Sequence, residues 1–275
     1  MPDSGIRGAF LRRRILGYRL ALLGEGSMHA EVIETIMLNL LHGFALRVGW
    51  KPVPLIWSAQ RLVALLALRE QPPSRAYVAG ILWPETTDAR ANANLRSSLW
   101  RVQRACGSLV IASSQRLRLA REVVVDQQEA VLAAYRMLDN SDPCEDILNV
   151  ETLSVMSADL LPDWYEDDWV VVHRERYHHL RLHALEAMCE RLTAARRYGE
   201  AVEAGLAAVR AEPLRESAHQ ALVRAHLAEG NRFEATRQYQ SCRHLLRSEL
   251  GLEPSPGLQA LFTSETSQLV QVMSR

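Results

Sequence analysis

Between Ala89 and Arg121 the chain carries seven arginines and no acidic residue. They are Arg90, Arg96, Arg101, Arg104, Arg116, Arg118 and Arg121. A run of one sign suits a polyanion: guanidinium groups neutralise phosphates, while Arg and Asn pair bidentately with guanine and adenine edges. On a helix, Leu95, Leu99 and Val102 fall on one face at i, i+4 and i+7. The opposite face then holds Arg90, Ser97, Arg101 and Arg104, flanked by Asn94 and Arg96. These six residues are the candidate DNA-binding set on the helix. Arg116 and Arg118 join them from a following hairpin, within reach of adjacent phosphates or the minor groove. Trp100 falls between the faces and is expected to pack against that hairpin. An ordinary solvated helix mixes both charge signs, so a one-signed helix beside a one-signed hairpin favours nucleic acid.

Elements with recognisable signals must hold this segment. Phe44, Leu46 and Val48 alternate with Ala45 and Arg47, as a short half-buried strand would. Gly49–Pro52 reads as a turn into a second short strand around Val53–Ile56. Ser58 is placed to cap a helix with Leu62, Leu65 and Leu66 inward, ending before Pro72-Pro73. Ser74 is placed to cap a second helix carrying Val78, Ile81 and Leu82, stopped at Trp83-Pro84. A third, longer helix starts at Asp88 and runs to about Arg104, with Gly107 beyond it. Val110–Ile111 and Leu117–Leu119 make two strands around Ala112–Gln115. Short strands, three helices and a hairpin are the order of a winged helix-turn-helix with an N-terminal sheet.

Beyond Asp126 the pattern is helical, interrupted by a polar stretch at 139–152. An acidic run, Asp163–Asp168, opens a long helix reaching about Arg196. Leu192…Arg197-Tyr198…Ala201 then recurs as Leu227…Arg232-Phe233…Ala235, an offset of 34–35 residues. Helix pairs of that period are the tetratricopeptide signature, in which units stack because one alone cannot bury its apolar face. Pro213 and Pro254 close corresponding units. The expected fold is mainly α: a winged helix-turn-helix with short antiparallel strands, then an all-α tetratricopeptide-like repeat domain. The expected divisions are 1–36 as an N-terminal extension, 37–125 for DNA binding, 126–264 for the helical repeats and 265–275 as a tail. The extension is either flexible or the product of an upstream start, with Met28 and Met37 as alternative first residues.

The 275 residues carry 32 basic and 32 acidic side chains, and the balance conceals a division. Residues 1–36 have net charge +1, 37–125 have +8, and 126–275 have −9. Such a chain offers only one half to a polyanion. A hydrophobic content of 48% excludes wholesale disorder. No run approaches the roughly 18 uncharged apolar residues of a membrane span. Arg12–Arg14 before Ile15–Leu23 mimic a signal peptide, but Arg19 breaks the apolar run, so export is not expected. The four cysteines, at 106, 144, 189 and 242, form no CxxC pair and read as reduced thiols of a cytoplasmic protein.

Competing chemistries are poorly supported. His179 and His183 have an i, i+4 spacing that can hold a metal, yet no HExxH or nearby Cys completes a site, so no metal is expected. The Asp163–Asp168 carboxylates are better placed for a helix N-terminus than for acid–base catalysis. No GxSxG, GxxxxGK[ST] or dinucleotide loop occurs; neither catalytic residues nor a cofactor are expected.

Taken together, 37–264 resembles the Streptomyces antibiotic regulatory protein (SARP) family. In the first half, the resemblance to an OmpR-type winged helix rests on Leu65–Leu68, Ser74-Arg75, Ile81–Pro84, Ala93–Arg96 and Leu99–Val102. In the second, the resemblance to a bacterial transcriptional activator domain rests on Asp159–Pro162, Arg174–Arg176, Glu212–His219 and Leu246–Pro256. The resemblance implies an activator that binds promoter direct repeats through two protomers side by side, paired in solution or only on DNA. It further implies recruitment of RNA polymerase through sigma factor and other subunits, at a specialised-metabolism gene cluster, in the nucleoid-associated cytoplasm. The recognition helix then spans about Asn92–Arg104 and the wing about Ser113–Arg121. Gln103 stands where the family commonly has Arg, and Ser114–Arg116 replace the usual Gly-Gly-Tyr turn. The alternative function is a helical-repeat scaffold whose basic half docks an acidic protein. An acid-free Ala89–Arg121 segment favours the activator.

Overall fold

The computed structural model describes residues 35–107 and 109–262, which belong to a unit beginning at Thr35. Residues 1–34 of the expected 1–36 extension, including the alternative start Met28, and the 265–275 tail lie outside the described residues.

Strand β1 (Ile36–Asn39) starts one residue ahead of the expected boundary and turns through His42 and Gly43, both at positive φ, into β2 (Ala45–Val48). The third strand, β3, is only Lys51–Pro52; the expected strand at Val53–Ile56 does not form. Pro52 and Pro54 have no N–H to donate, so the ladder ends there. Helix α1 (Trp57–Ala67) follows. Ser58 lies inside it, and the N-cap is Ile56, without a side-chain bond. Leu62, Leu65 and Leu66 are buried as expected, joined by Val63 and Ala64. Ser74 does cap α2 (Arg75–Leu82): its Oγ accepts from the Tyr77 N–H at 3.2 Å. Thr87 then precedes α3 (Asp88–Ala105).

The wing is β4 (Val110–Ala112) antiparallel to β5 (Leu117–Leu119). Its tip is fixed to the start of α2: the Arg75 N–H donates to Gln115 O at 2.9 Å, and the Leu117 N–H to Pro73 O at 3.0 Å. A strand the sequence did not reveal, β6 (Val123–Val125), then pairs parallel with β1, giving a sheet of order β3-β2-β1-β6.

Helix α4 (Asp126–Leu138) begins on the residue after β6. Asp126 secures this junction. Its carboxylate accepts the N–H groups of Leu40 at 2.8 Å and Leu41 at 3.1 Å, and the Asn39 amide at 3.2 Å. The polar interruption contains a 3₁₀ turn (Glu145–Ile147) and the start of α5 (Val150–Met156). Helix α6 (Asp168–Ala194) ends slightly before Arg196, which has positive φ. Then come α7 (Tyr198–Ala211), α8 (Glu216–Glu229) and α9 (Arg232–Leu250), and residues 256–262 are helical again. The repeat of the sequence is thus a repeat of structure: Tyr198 and Phe233 sit at equivalent helix starts.

The stack depends on small residues. Ala201, Ala204, Ala207 and Ala208 of α7 are buried, and a Cβ on Gly205 would lie 3.1 Å from Leu222 and 3.2 Å from Cys189 Sγ. The last helix pair closes over Val223, Ala235, Cys242, Leu246 and Leu258. All four cysteines are free and buried. Burial pushes the Cys189 thiol up to about 12 and Cys242 up to about 11, which keeps both protonated.

The helical part also holds the winged helix directly. Leu160 bridges to Leu41, and the Leu161 N–H donates to Leu40 O at 2.8 Å. Asp167, expected only at a helix N-terminus, is buried in an ion pair with Arg61 at 2.6 Å and accepts the Trp169 indole N–H at 2.8 Å. Arg61 simultaneously donates to Leu82 O, at the end of α2, at 2.8 Å. One guanidinium therefore joins α1, α2 and the helical part. Trp57 and Phe44 pack on Trp164 beside it, with ring centroids 4.6 and 6.0 Å away.

Candidate nucleic-acid interface

Helix α3 turns Ala91, Leu95, Ser98 and Val102 into the core, at i, i+4, i+7 and i+11. This stripe is rotated from the expected one. Leu99 is only half-buried, and Ser98 is 1% exposed in its place. Small side chains at 91 and 98 allow the helix to lie close against its neighbours.

The rotation decides what faces outward. Arg96, Ser97, Trp100, Arg101 and Arg104 are exposed, and the first four line one shallow open depression. Arg90 is exposed in the first turn of the helix. Among the described residues, Arg90, Arg96 and Arg101 have no hydrogen-bond or ion-pair partner. Asp88, in the first turn, is the one acid on the helix.

Trp100 does not pack against the hairpin. It is 60% exposed, and the Arg104 guanidinium lies over its ring, 5.4 Å from the centroid. The sequence held the signal: Trp100 is nine residues from Ala91, two and a half helical turns, hence on the opposite side. The apolar Leu99 obscured it.

Three candidates stand apart from this face. Asn94 is half-buried. Arg116 is exposed at the wing, but its Nη1 donates to Pro72 O at 2.8 Å. Arg118 is half-buried, with Nη1 3.3 Å from Leu119 O, and lines a separate depression with Arg69 and Arg121. The structure therefore brings Arg96, Ser97, Arg101 and Arg104 together, with Arg90 near one end. It sets Asn94, Arg116 and Arg118 elsewhere.

His179 and His183 of α6 are engaged with neighbouring residues. His179 lies 3.9 Å from Glu175, and His183 Nδ1 lies 3.1 Å from the Arg215 guanidinium. Among the described residues no three His, Cys, Asp or Glu gather as metal ligands, and no helix is long and apolar enough to cross a membrane.

A family model for the bacterial transcriptional activator domain matches residues 123–264, which include the helical repeats. Regulatory protein AfsR of Streptomyces coelicolor is 30% identical over 212 residues, 73% of this chain and 21% of AfsR. The chain thus spans about a fifth of that relative's length. Mycobacterium tuberculosis EmbR, solved in complex with a low affinity phosphopeptide, is similar in fold. Its TM-score is 0.67 at 19% identity, covering 85% of this chain and 65% of EmbR. With more than half its length matched, this chain belongs to the bacterial transcriptional activator domain family.

Proposed function

We propose that the chain is a sequence-specific DNA-binding activator that lays α3 in the major groove of a promoter. Residues 37–125 form the DNA-binding part and 126–264 the activating part. Arg96, Ser97, Arg101 and Arg104 contact bases and phosphates, and Arg90 a flanking phosphate. Two protomers occupy a direct repeat, and the helical part engages RNA polymerase and its sigma factor. The setting is the nucleoid-associated cytoplasm, at a specialised-metabolism gene cluster.

The observation that carries this reading is the acid-poor outward face of α3, on which Arg90, Arg96 and Arg101 have no side-chain partner among the described residues. A protein-docking scaffold has no need of it. Genome-wide mapping of bound DNA, followed by a gel shift on the strongest site at two salt concentrations, tests the reading. A shared direct repeat, with affinity falling steeply as salt rises, is the expected outcome. Weak binding indifferent to sequence, with no enriched sites, overturns it.

A further inference from the structure

Resting on the reading of α3 as a recognition helix, we propose that Trp100 is an apolar base reader that covers the 5-methyl group of a thymine in the operator. Trp100 projects directly away from the buried stripe, so it occupies the centre of the outward face rather than its margin. Ser97 and Arg101 line the same depression beside it, and Arg104 lies over its ring. An indole 60% exposed on a free surface wastes an apolar area that a ligand would bury.

The surroundings choose the ligand. Every charged side chain reaching that depression is an arginine, which selects a polyanion over an acidic-patch-free protein surface. Within the major groove, the only apolar group on a base edge is the thymine methyl. The Arg104 guanidinium, held on the indole by a cation–π contact, is thereby oriented before DNA arrives. The flat ring and the flanking guanidinium donors thus divide the labour: one recognises a methyl, the others recognise acceptors.

The test removes the methyl from the DNA and the ring from the protein. The full chain first selects operators from a random duplex pool, and each thymine in the selected site is then replaced singly by uracil. With the native chain, one replacement in each half-site is expected to weaken binding about fourfold, the value of one buried methyl group. With Trp100→Ala, thymine and uracil duplexes are expected to bind alike, both about tenfold more weakly than the native pair. Because Trp100 is exposed, thermal melting of the variant checks that the fold is intact. The proposal is overturned if uracil replacement weakens both proteins equally, or if no thymine position is sensitive. Failure of the native chain to select any sequence overturns the recognition-helix reading itself, a result distinct from selection followed by methyl insensitivity.

Discussion

The chain uses arginine in two opposite ways. On α3, Arg90, Arg96 and Arg101 reach solvent without a partner among the described residues. In the helical part, arginines are fasteners. Arg136 binds Asp142 and Asp146, Arg191 donates to the carbonyls of Met137, Asp139 and Asp142, and Arg215 binds Glu186. Arg181, 4% exposed, is held by Asp159. The side chain is the same; the difference is whether carboxylates and free carbonyls lie within reach. A guanidinium paired internally contributes to folding and has few donors left for a ligand. One left unpaired contributes little to folding and is available for recognition.

This contrast can be broken most forcefully at Asp167. Asp167→Ala leaves Arg61 largely buried without its counter-charge and removes the acceptor of the Trp169 indole, so a loss of about 3–5 kcal/mol is expected in urea unfolding. A loss below about 1 kcal/mol would mean that the clamp is dispensable. At the other extreme of use, Arg101→Ala should leave stability within about 0.5 kcal/mol while costing about 1–3 kcal/mol of operator affinity, if the contact is to a base edge. A melting temperature that falls together with affinity would refute the division of roles. Arg96→Ala sharpens it: for a phosphate contact, the slope of log affinity against log salt should become shallower by about 1, uniformly across sequences. An unchanged slope would remove Arg96 from the phosphate-binding set.

The smallest effect concerns the Arg136 pairs. Hydrogen bonding to Arg136 holds the carboxyls of Asp142 and Asp146 below the usual range. Depressed carboxyl pKa values stabilise the fold above the unfolded value of 3.8 and lose that contribution as pH falls through the folded values. Arg136→Ala should therefore cost about 1 kcal/mol at neutral pH, after allowance for partial exposure. The difference between native and variant should vanish in strong acid. A difference independent of pH would assign the loss to packing instead.

Legibility in the sequence followed the reach of the responsible forces. The cap at Ser74 and the span of α3 depend on neighbouring residues, and both were readable. So was the helix repeat, because Arg197-Tyr198 and Arg232-Phe233 mark the same structural point twice. Strands β1 and β6 were hidden: each is only three or four residues, and Ile36 finds its partner at Val123, far along the chain. The role of Asp167 was hidden likewise, since its acidic neighbours suggested a helix terminus while its partner lies at Arg61. At the candidate interface, residue type was legible and rotation was not. Four predicted residues share the outward face, but the apolar Leu99 concealed Trp100, and the backbone carbonyls of Pro72 and Leu119 draw Arg116 and Arg118 into hydrogen bonds.

The junction at Asp126 has a consequence for promoter geometry. There is no linker between β6 and α4, and the Asp126 carboxylate is bonded across to Leu40 and Leu41, so the junction restricts rotation of one half against the other. Under the proposed function, the angular position of the helical part on DNA then follows from where the operator faces. Adding about 5 base pairs, half a helical turn, between operator and polymerase site would point that part away from the enzyme; adding about 10 would restore it. A flexibly tethered activator would tolerate either spacing. Under the proposed function, activation by this chain is expected to depend on that phase.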